Sequence, residues 1–308
     1  MADVLVVGGN GFIGSHVVDA LVARGHTVAA FDRFGPQPPL WSASGVRPIV
    51  GDFLNGDDVR RAVEGQEMVL HLLSTTDPAT SEGDPTLDVR TNILSSIGMF
   101  SACAAAGVQK VYFASTGGAI YGDQPQTVFR ETDLTLPVSP YAIGKLTIEN
   151  YLRYFRRTQG LDSTVFRISN PYGPRQNPRK RQGVIPIFLR QIAAGEPLTV
   201  FGDGSMVRDY VYVADVAEMI AQAVTEGTST DLYNLGSGVG LRLTELLSAI
   251  REVTGIESTV HHKPQPPTFV DHVTLDTSRF SEEFGAPRLT SLHDGIARTW
   301  QEIGAARD

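Results

Sequence analysis

The chain has 308 residues, and its 26 Lys+Arg against 34 Asp+Glu give a formal net charge of −8, which excludes the basic footprint of a nucleic-acid binder or of a protein held on an anionic membrane. Hydrophobic residues make up 42% and charged residues 19%, a globular rather than a disordered composition, and the length fits one or two domains. The single cysteine, Cys103, excludes an intrachain disulfide and any Cys-rich zinc or iron–sulfur site, and among its alanine neighbours it reads as a small apolar filler.

Val4–Val7 is a short apolar run, the pattern of a strand buried on both faces. Phe12–Arg24 reads as a helix with Ile13, Val17 and Leu21 on one face, stopped by Gly25. Thr27–Phe31, Val46–Val50 and Met68–Leu73 follow as strands. Thr91–Ala106 is helical, with Ile93, Leu94, Ile97 and Phe100 along its apolar stripe. Val111–Ser115 is a strand, Tyr141–Arg157 a long helix and Thr164–Ile168 the strand after it. This alternation predicts an α/β fold, a doubly wound parallel sheet covered by helices.

Past Asn170 the grammar changes. Asn170–Pro174 is turn-rich, Ile185–Ala194 is helical, Leu198–Phe201 is a strand, and Lys263–Pro267 is proline-rich. Tyr210–Val213 and Leu232–Asn234 are expected to return to the sheet. The expected division is residues 1–169 with 208–235, against a smaller interleaved region of residues 170–207 and 236–308 that covers a substrate. The first residues lack a basic segment and a long apolar one, and no window is long and apolar enough to span a bilayer, so the expected location is the cytoplasm.

Gly8-Gly9-Asn10-Gly11-Phe12-Ile13-Gly14 lies between the first strand and the first helix. Gly8 permits a tight turn, Gly11 lets a pyrophosphate approach the backbone at the positive end of the helix, and Gly14 permits close helix–sheet contact. This is a Rossmann-like dinucleotide loop, with Gly8, Gly11, Phe12 and Ile13 as candidate cofactor residues. Asp32 ends the second apolar run. Its carboxylate can accept from both ribose hydroxyls and repels a 2′-phosphate, which favours NAD. Arg33 follows and could favour the phosphate, so the choice stays open at this point. Asp52 could accept from the adenine amino group, with Phe53 beside the ring.

Tyr141-Ala142-Ile143-Gly144-Lys145 opens the long helix and puts Tyr141 and Lys145 on one face. A lysine ammonium near a phenol, and near a positive nicotinamide, lowers the phenol pKa and lets a tyrosinate act as a base near neutral pH.

Together with Asp52, Asn92, Ser115-Thr116-Gly117-Gly118-Ala119-Ile120-Tyr121-Gly122, Asn170–Gln176 and Gly202–Tyr210, these motifs run along nearly the whole chain. They resemble the extended short-chain dehydrogenase/reductases, in the nucleotide-sugar epimerase/dehydratase branch, and most closely the UDP-glucose 4-epimerase type. The resemblance implies NAD as a cofactor that is not consumed, a UDP-hexose as substrate, and epimerisation by transient oxidation at C4. It implies that Tyr141 takes the proton of the sugar 4-OH and that Lys145 binds the nicotinamide ribose. Leu72, Leu73, Ser74, Asn92 and Ser115 would line the cofactor, with Ser74, Thr116, Gly117 and Asn170 near the sugar or diphosphate. Arg208 would pair with the diphosphate, Val200 and Phe201 would lie by the base, and Gln182, Gly183 and Val184 would line the nucleotide entry. It also implies a homodimer through the helices at 91–106 and 141–157.

Three positions depart from the family pattern. The usual catalytic hydroxyl, four residues before Tyr121, is replaced by Gly117, so Thr116 is the expected substitute, with Ser115 the alternative. The arginine expected before Leu275-Asp276-Thr277-Ser278 is missing, and His262 or Lys263 could stand in. A lysine often found after the fourth strand is Thr76. Gly118 and Ala119 stand where a dehydratase carries an acid pair, which argues against dehydration. A 4-ketosugar reductase, a UDP-uronate epimerase or decarboxylase, and a non-catalytic NAD-binding protein remain the alternatives. Of the basic cluster Arg175, Arg179, Lys180 and Arg181, only Arg175 is expected at the substrate; the others read as a solvated loop. His261, His262 and His272 lack the spacing of a metal site.

Overall fold

The computed structural model describes residues 1–178 and 183–305. The chain runs through β1 (Asp3–Val7), α1 (Phe12–Ala23), β2 (Thr27–Asp32), β3 (Arg47–Val50), α2 (Gly56–Val63), β4 (Met68–His71), α3 (Pro78–Gly83) and α4 (Pro85–Asp88). A π-helical turn (Val89–Ile93) leads into α5 (Leu94–Ala106), then β5 (Lys110–Thr116), α6 (Gly117–Ile120), β6 (Val128–Phe129), α7 (Pro140–Gln159), β7 (Asp162–Ile168) and β8 (Asn170–Tyr172). There follow α8 (Val184–Ala194), β9 (Leu198–Phe201), β10 (Val207–Tyr212), α9 (Val213–Glu226), β11 (Leu232–Leu235) and β12 (Gly240–Arg242). The chain continues with α10 (Leu243–Thr254), β13 (Val260–Lys263), β14 (His272–Leu275), α11 (Ser278–Phe284) and α12 (Leu292–Ala305).

Two compact units form. The first comprises Met1–Thr116, Ser139–Arg167 and Ala217–Tyr233. It carries a seven-stranded sheet in the order β11-β7-β5-β4-β1-β2-β3. The ladders β1·β2, β2·β3, β1·β4 and β4·β5 are parallel, with Val4 opposite both Val28 and Met68. Val4–Val7 are all buried, which is why this strand is uniformly apolar rather than alternating. After β3 the chain crosses to the other side of β1, so the strand order reverses between β1 and β4. Loops at such a switch point open a crevice at the carboxyl ends of the strands. Phe31, Met99, Phe100, Phe113, Ile148, Leu152 and Phe155 join one core cluster that fixes β2, α5, β5 and α7 to the sheet.

The second unit comprises Gly117–Val138, Ile168–Val216 and Asn234–Asp308. In it β10 pairs with β12 antiparallel and with β14 and β8 in parallel, β14 pairs with β6, and β13 pairs with β9. The expected return of Tyr210–Val213 to the large sheet therefore does not occur; β11 does join it. The reason lies in Asp209, at the centre of β10 and fully buried. Its carboxylate accepts from Ser237 N and Oγ, Gly238 N and Leu275 N, which ties β10 to the segments around β14. Residues 117–138 also belong to this unit, because Phe129 lies in register with Leu275 and Tyr121 donates to Asn234 at 2.7 Å.

Candidate active site

The glycine loop has the geometry its spacing predicts. Gly8 sits at φ +84°, and a Cβ there would press on the backbone of Leu73. Its N–H donates to Phe31 O at 2.9 Å, and Gly11 N–H donates to Gly8 O at 2.9 Å. A Cβ on Gly14 would overlap Gly8 O, so α1 can enter this close to the loop only with glycine there. Gly11 is the N-cap of α1 and provides no side-chain cap, which leaves the first-turn N–H groups of Phe12 and Ile13 without a side-chain acceptor. A turn closed by glycines and followed by an uncapped helix start fits a pyrophosphate.

Asp32 closes β2. Its Oδ2 accepts from Asn10 N at 3.1 Å and its Oδ1 from Arg33 N at 2.8 Å, so the acid is fixed to the glycine loop while the Arg33 side chain is exposed. Asp52 accepts from Leu54 N at 3.0 Å. Phe53 corrects the expectation for its side chain: it is buried in the core with its ring 5.1 Å from that of His71, so only its backbone is left for an adenine.

The segment after β4 is held by one amide. Asn92 Oδ1 accepts from Thr75 N at 2.9 Å and Thr75 Oγ1 at 3.0 Å, and its Nδ2 donates to Thr76 Oγ1 at 2.8 Å and Asp88 Oδ1 at 2.7 Å. Asn92 thus spends its polar atoms on protein and shapes the segment instead of reaching outward. Asn92 is a buried residue of the π-helical turn Val89–Ile93. Leu72 N–H donates to Val7 O at 3.0 Å, Leu73 lies against Gly8, and Ser74 Oγ donates to Thr76 O at 2.8 Å.

Ser139 caps α7 by accepting from Ala142 N at 3.3 Å, and Pro140 occupies the first turn, so the helix starts immediately before Tyr141. Lys145, one turn on, is buried and donates to Ala114 O of β5 at 2.9 Å. Its Nζ lies 5.8 Å from the centroid of the Tyr141 ring and 4.7 Å from that of Phe113. Burial pulls the Lys145 ammonium down to about 8, against the opposing pull of Asp88 and Glu149. Tyr141 departs from the expectation. Burial pushes its phenol above the ordinary value, and the carboxylates of Asp88 and Asp77 push it further in the same direction. In the protein alone, desolvation and two negative charges set the direction.

The two candidate hydroxyls separate cleanly. Ser115 Oγ donates to Glu149 Oε1 at 2.5 Å in the interior, and Glu149 pairs with Arg167 at 2.8 Å. Thr116, the next residue on β5, points to the opposite face of the strand. Glu149, Arg167 and Asp88 were not among the residues picked out by motif. Glu149 was legible only as the residue one turn after Lys145, and Asp88 as the residue one turn before Asn92.

The remaining expected residues lie in the second unit. Gly117 opens α6, and a Cβ on Gly118 would lie 3.2 Å from Asn170 Oδ1. Asn170 Nδ2 donates to Asp209 O at 3.0 Å. Arg208 is folded onto carbonyls: it donates to Val207 O at 2.8 Å, to Asp271 O at 3.4 Å and also to Val270 O. Arg175 has φ +64°, and its N–H donates to Glu302 at 2.8 Å. Gly183, at φ +83°, is the N-cap of α8, followed by Val184. Val200 is a core residue beside Leu198 and Ile192, so its side chain does not line a base pocket, whereas Phe201 is exposed with its ring 5.7 Å from Phe269. His262 and Lys263 lie exposed on β13, and His262 Nδ1 contacts Gly202 O at 2.8 Å. Arg179, Lys180, Arg181 and Gln182 fall outside the described residues. Among the described residues no His/Cys/Asp/Glu cluster could hold a metal ion, and no helix is long and apolar enough to cross a membrane.

Residues 4–236 match the model of the NAD dependent epimerase/dehydratase family. The chain belongs to that family. A UDP-glucose 4-epimerase of Mycolicibacterium smegmatis is 34% identical over 303 residues, covering 96% of each chain. The solved structure of the Thermotoga maritima UDP-glucose 4-epimerase with UDP-glucose is 35% identical, covers 99% of this chain and 100% of that one, and superposes with a TM-score of 0.92. The Thermus thermophilus UDP-glucose 4-epimerase, solved with NAD, is 36% identical over 99% of each chain with a TM-score of 0.91. The family membership makes the chain an NAD-dependent, nucleotide-sugar-acting enzyme of the epimerase/dehydratase family.

Proposed function

We propose that this protein is a nucleotide-sugar 4-epimerase acting on a UDP-hexose of the UDP-glucose/UDP-galactose type. The observation that carries the reading is the pairing of Tyr141 and Lys145 on one face of α7, with Lys145 anchored to the carbonyl of Ala114 in β5. The relatives described above are named for this activity. The short helix α6 favours epimerisation over dehydration. Its residues Gly117–Ile120 carry no titratable side chain, and elimination across C5 and C6 needs an acid and a base there.

Gly8, Gly11, Phe12, Ile13 and Asp32 would hold NAD, the first four at the pyrophosphate and the acid at the ribose. When bound, NAD supplies a reversible hydride acceptor, so the reaction has no net oxidation. Tyr141 Oη accepts the proton of the sugar 4-OH as that carbon is oxidised, and gives it back after the ketosugar has turned over. Lys145 supplies the positive charge that favours the tyrosinate, with its ammonium oriented by Ala114 O. Thr116 provides the second hydroxyl near the sugar oxygen, because Ser115 is engaged by Glu149. The second unit serves as the substrate-binding region. The exposed Ile143, Tyr151 and Tyr154 of α7 and Leu94 of α5 form the face through which a homodimer would assemble.

The test is incubation of the pure protein with catalytic NAD and, in turn, UDP-glucose, UDP-galactose, their N-acetyl forms and UDP-glucuronate, following the anomeric protons by NMR. Approach to one epimer mixture from both sides without net NADH is the expected result. Stoichiometric use of NADH on a ketosugar, or no turnover of any of the sugars, overturns it.

A further inference from the structure

Asp88 is a buried carboxylate that no motif explains. It ends the short helix α4, and its side chain crosses to α7. Its Oδ1 accepts from Thr76 Oγ1 at 2.5 Å and from Asn92 Nδ2 at 2.7 Å. Its Oδ2 lies directly against Gly144, where a Cβ would overlap the oxygen. Gly144 is the residue between Tyr141 and Lys145 on the helix turn that presents them both. These hydrogen bonds hold the carboxylate in place beside the pair, and its charge acts on both Tyr141 and Lys145.

We propose that Asp88 is a positioning residue for Tyr141 and Lys145, a fixed carboxylate seated on Gly144 against which the two side chains are set. The inference rests on the reading of Tyr141 and Lys145 as the catalytic pair. The groups that face them are Asp88 from α4, Asp77 ahead of α3, Glu149 from α7 itself and His71 from the end of β4. Asp88 is the first charge to oppose the desolvation of Lys145 and the first to add to that of Tyr141. It therefore holds the lysine as an ammonium and the phenol as a phenol before cofactor and substrate arrive. Glycine at position 144 is what makes room for it: any side chain there would displace the carboxylate. Thr76 gains a purpose in the same stroke, as the hydroxyl that aims Asp88.

The experiment titrates Lys145 directly, without asking for turnover. The protein is labelled at lysine 13Cε, and the Lys145 signal is identified by its loss in Lys145→Met, against Lys110, Lys180 and Lys263. Asp88→Asn should lower the Lys145 midpoint by about 1 pH unit from the wild-type value. As a second variant that keeps the carboxylate, Gly144→Ala, which displaces it, should move the Lys145 midpoint in the same direction. In the epimerase assay both limbs of the pH profile should move to lower pH in Asp88→Asn, whereas a merely structural role would lower the rate at every pH and leave the limbs in place. Unmoved midpoints in both titrations overturn the proposal even in an active enzyme. Moved midpoints in a protein that turns over no nucleotide sugar uphold the placement of Asp88 and overturn the proposed function instead.

Discussion

The Ser115 hydroxyl donates to Glu149 Oε1 at 2.5 Å, and Arg167 donates to both oxygens of the same carboxylate, to Oε1 at 3.2 Å and to Oε2 at 2.8 Å. That bond engages the serine in the interior, and under the proposed function Thr116 is the hydroxyl for chemistry. Thr116→Val should lower kcat by about 10–100-fold, the worth of a hydrogen bond to a group that carries charge in the transition state. Ser115→Ala should lower stability by about 1 kcal/mol and affect kcat far less. Chemical unfolding and steady-state rates on the two variants check this, and the reverse ranking of the rates would return the role to Ser115.

Lys145 should set the alkaline limit of turnover. Burial lowers its ammonium from 10.5 to about 8, so turnover should fall about tenfold per pH unit above that point as the positive charge is lost. The sign for stability is opposite. Below pH 8 the lysine is protonated folded and unfolded, and the cost of burying the charge is full. Between about 8 and 10.5 the unfolded chain holds a proton that the folded one has released, so this group's contribution rises with pH. A kcat/KM profile whose alkaline limb persists unchanged in Lys145→Arg would assign that limb to another group.

Much of the first unit was legible because its signals are local. Val4–Val7 and the glycine spacing each follow from what a buried parallel strand and a tight turn demand of residue types. The Tyr141/Lys145 face follows from helical spacing alone. What stayed hidden depends on tertiary partners. Nothing in Val207–Tyr212 says that its central Asp209 will gather the amides of Ser237, Gly238 and Leu275, and that is what kept this strand out of the large sheet. Phe53 and Val200 were placed at the nucleotide because they neighbour motif residues, yet strand and loop geometry turn both side chains into cores. The phenol pKa went the other way for the same reason: burial raises it first, and Asp88 and Asp77, far from Tyr141 in sequence, add to that only in the fold.

Asp32 should govern the choice of dinucleotide. Its two oxygens accept from Asn10 N and Arg33 N, which holds the carboxylate at the end of β2, where under the proposed function its charge opposes an added 2′-phosphate. Asp32→Ser removes that repulsion and leaves the exposed Arg33 to pair with the phosphate. The Kd ratio of NADP to NAD, measured by calorimetry, should fall by about 10–100-fold, a change of about 1.4–2.8 kcal/mol. An unchanged ratio would mean that discrimination lies elsewhere in the loop.

His71 should make the fold acid-sensitive. It is buried at the end of β4 among Phe53, Phe100 and Phe113, with Nε2 2.8 Å from Ser96 Oγ. Burial first, and then the Lys145 charge, lower its imidazole from 6.5 to about 3. The unfolded chain therefore takes up a proton near 6.5 that the folded chain refuses until about 3, and stability conferred by the neutral ring is complete above 6.5 and drains away as the pH falls through that window. Each unit of pH inside it is worth about 1.4 kcal/mol. His71→Leu loses the contact with Ser96 at every pH but has no proton to take up. Between pH 7.5 and 5.0, urea unfolding should thus show the wild type losing about 2 kcal/mol more than the variant. Equal losses would mean that the folded protein protonates His71 as readily as the unfolded chain does, which its aromatic surroundings and the nearby ammonium oppose.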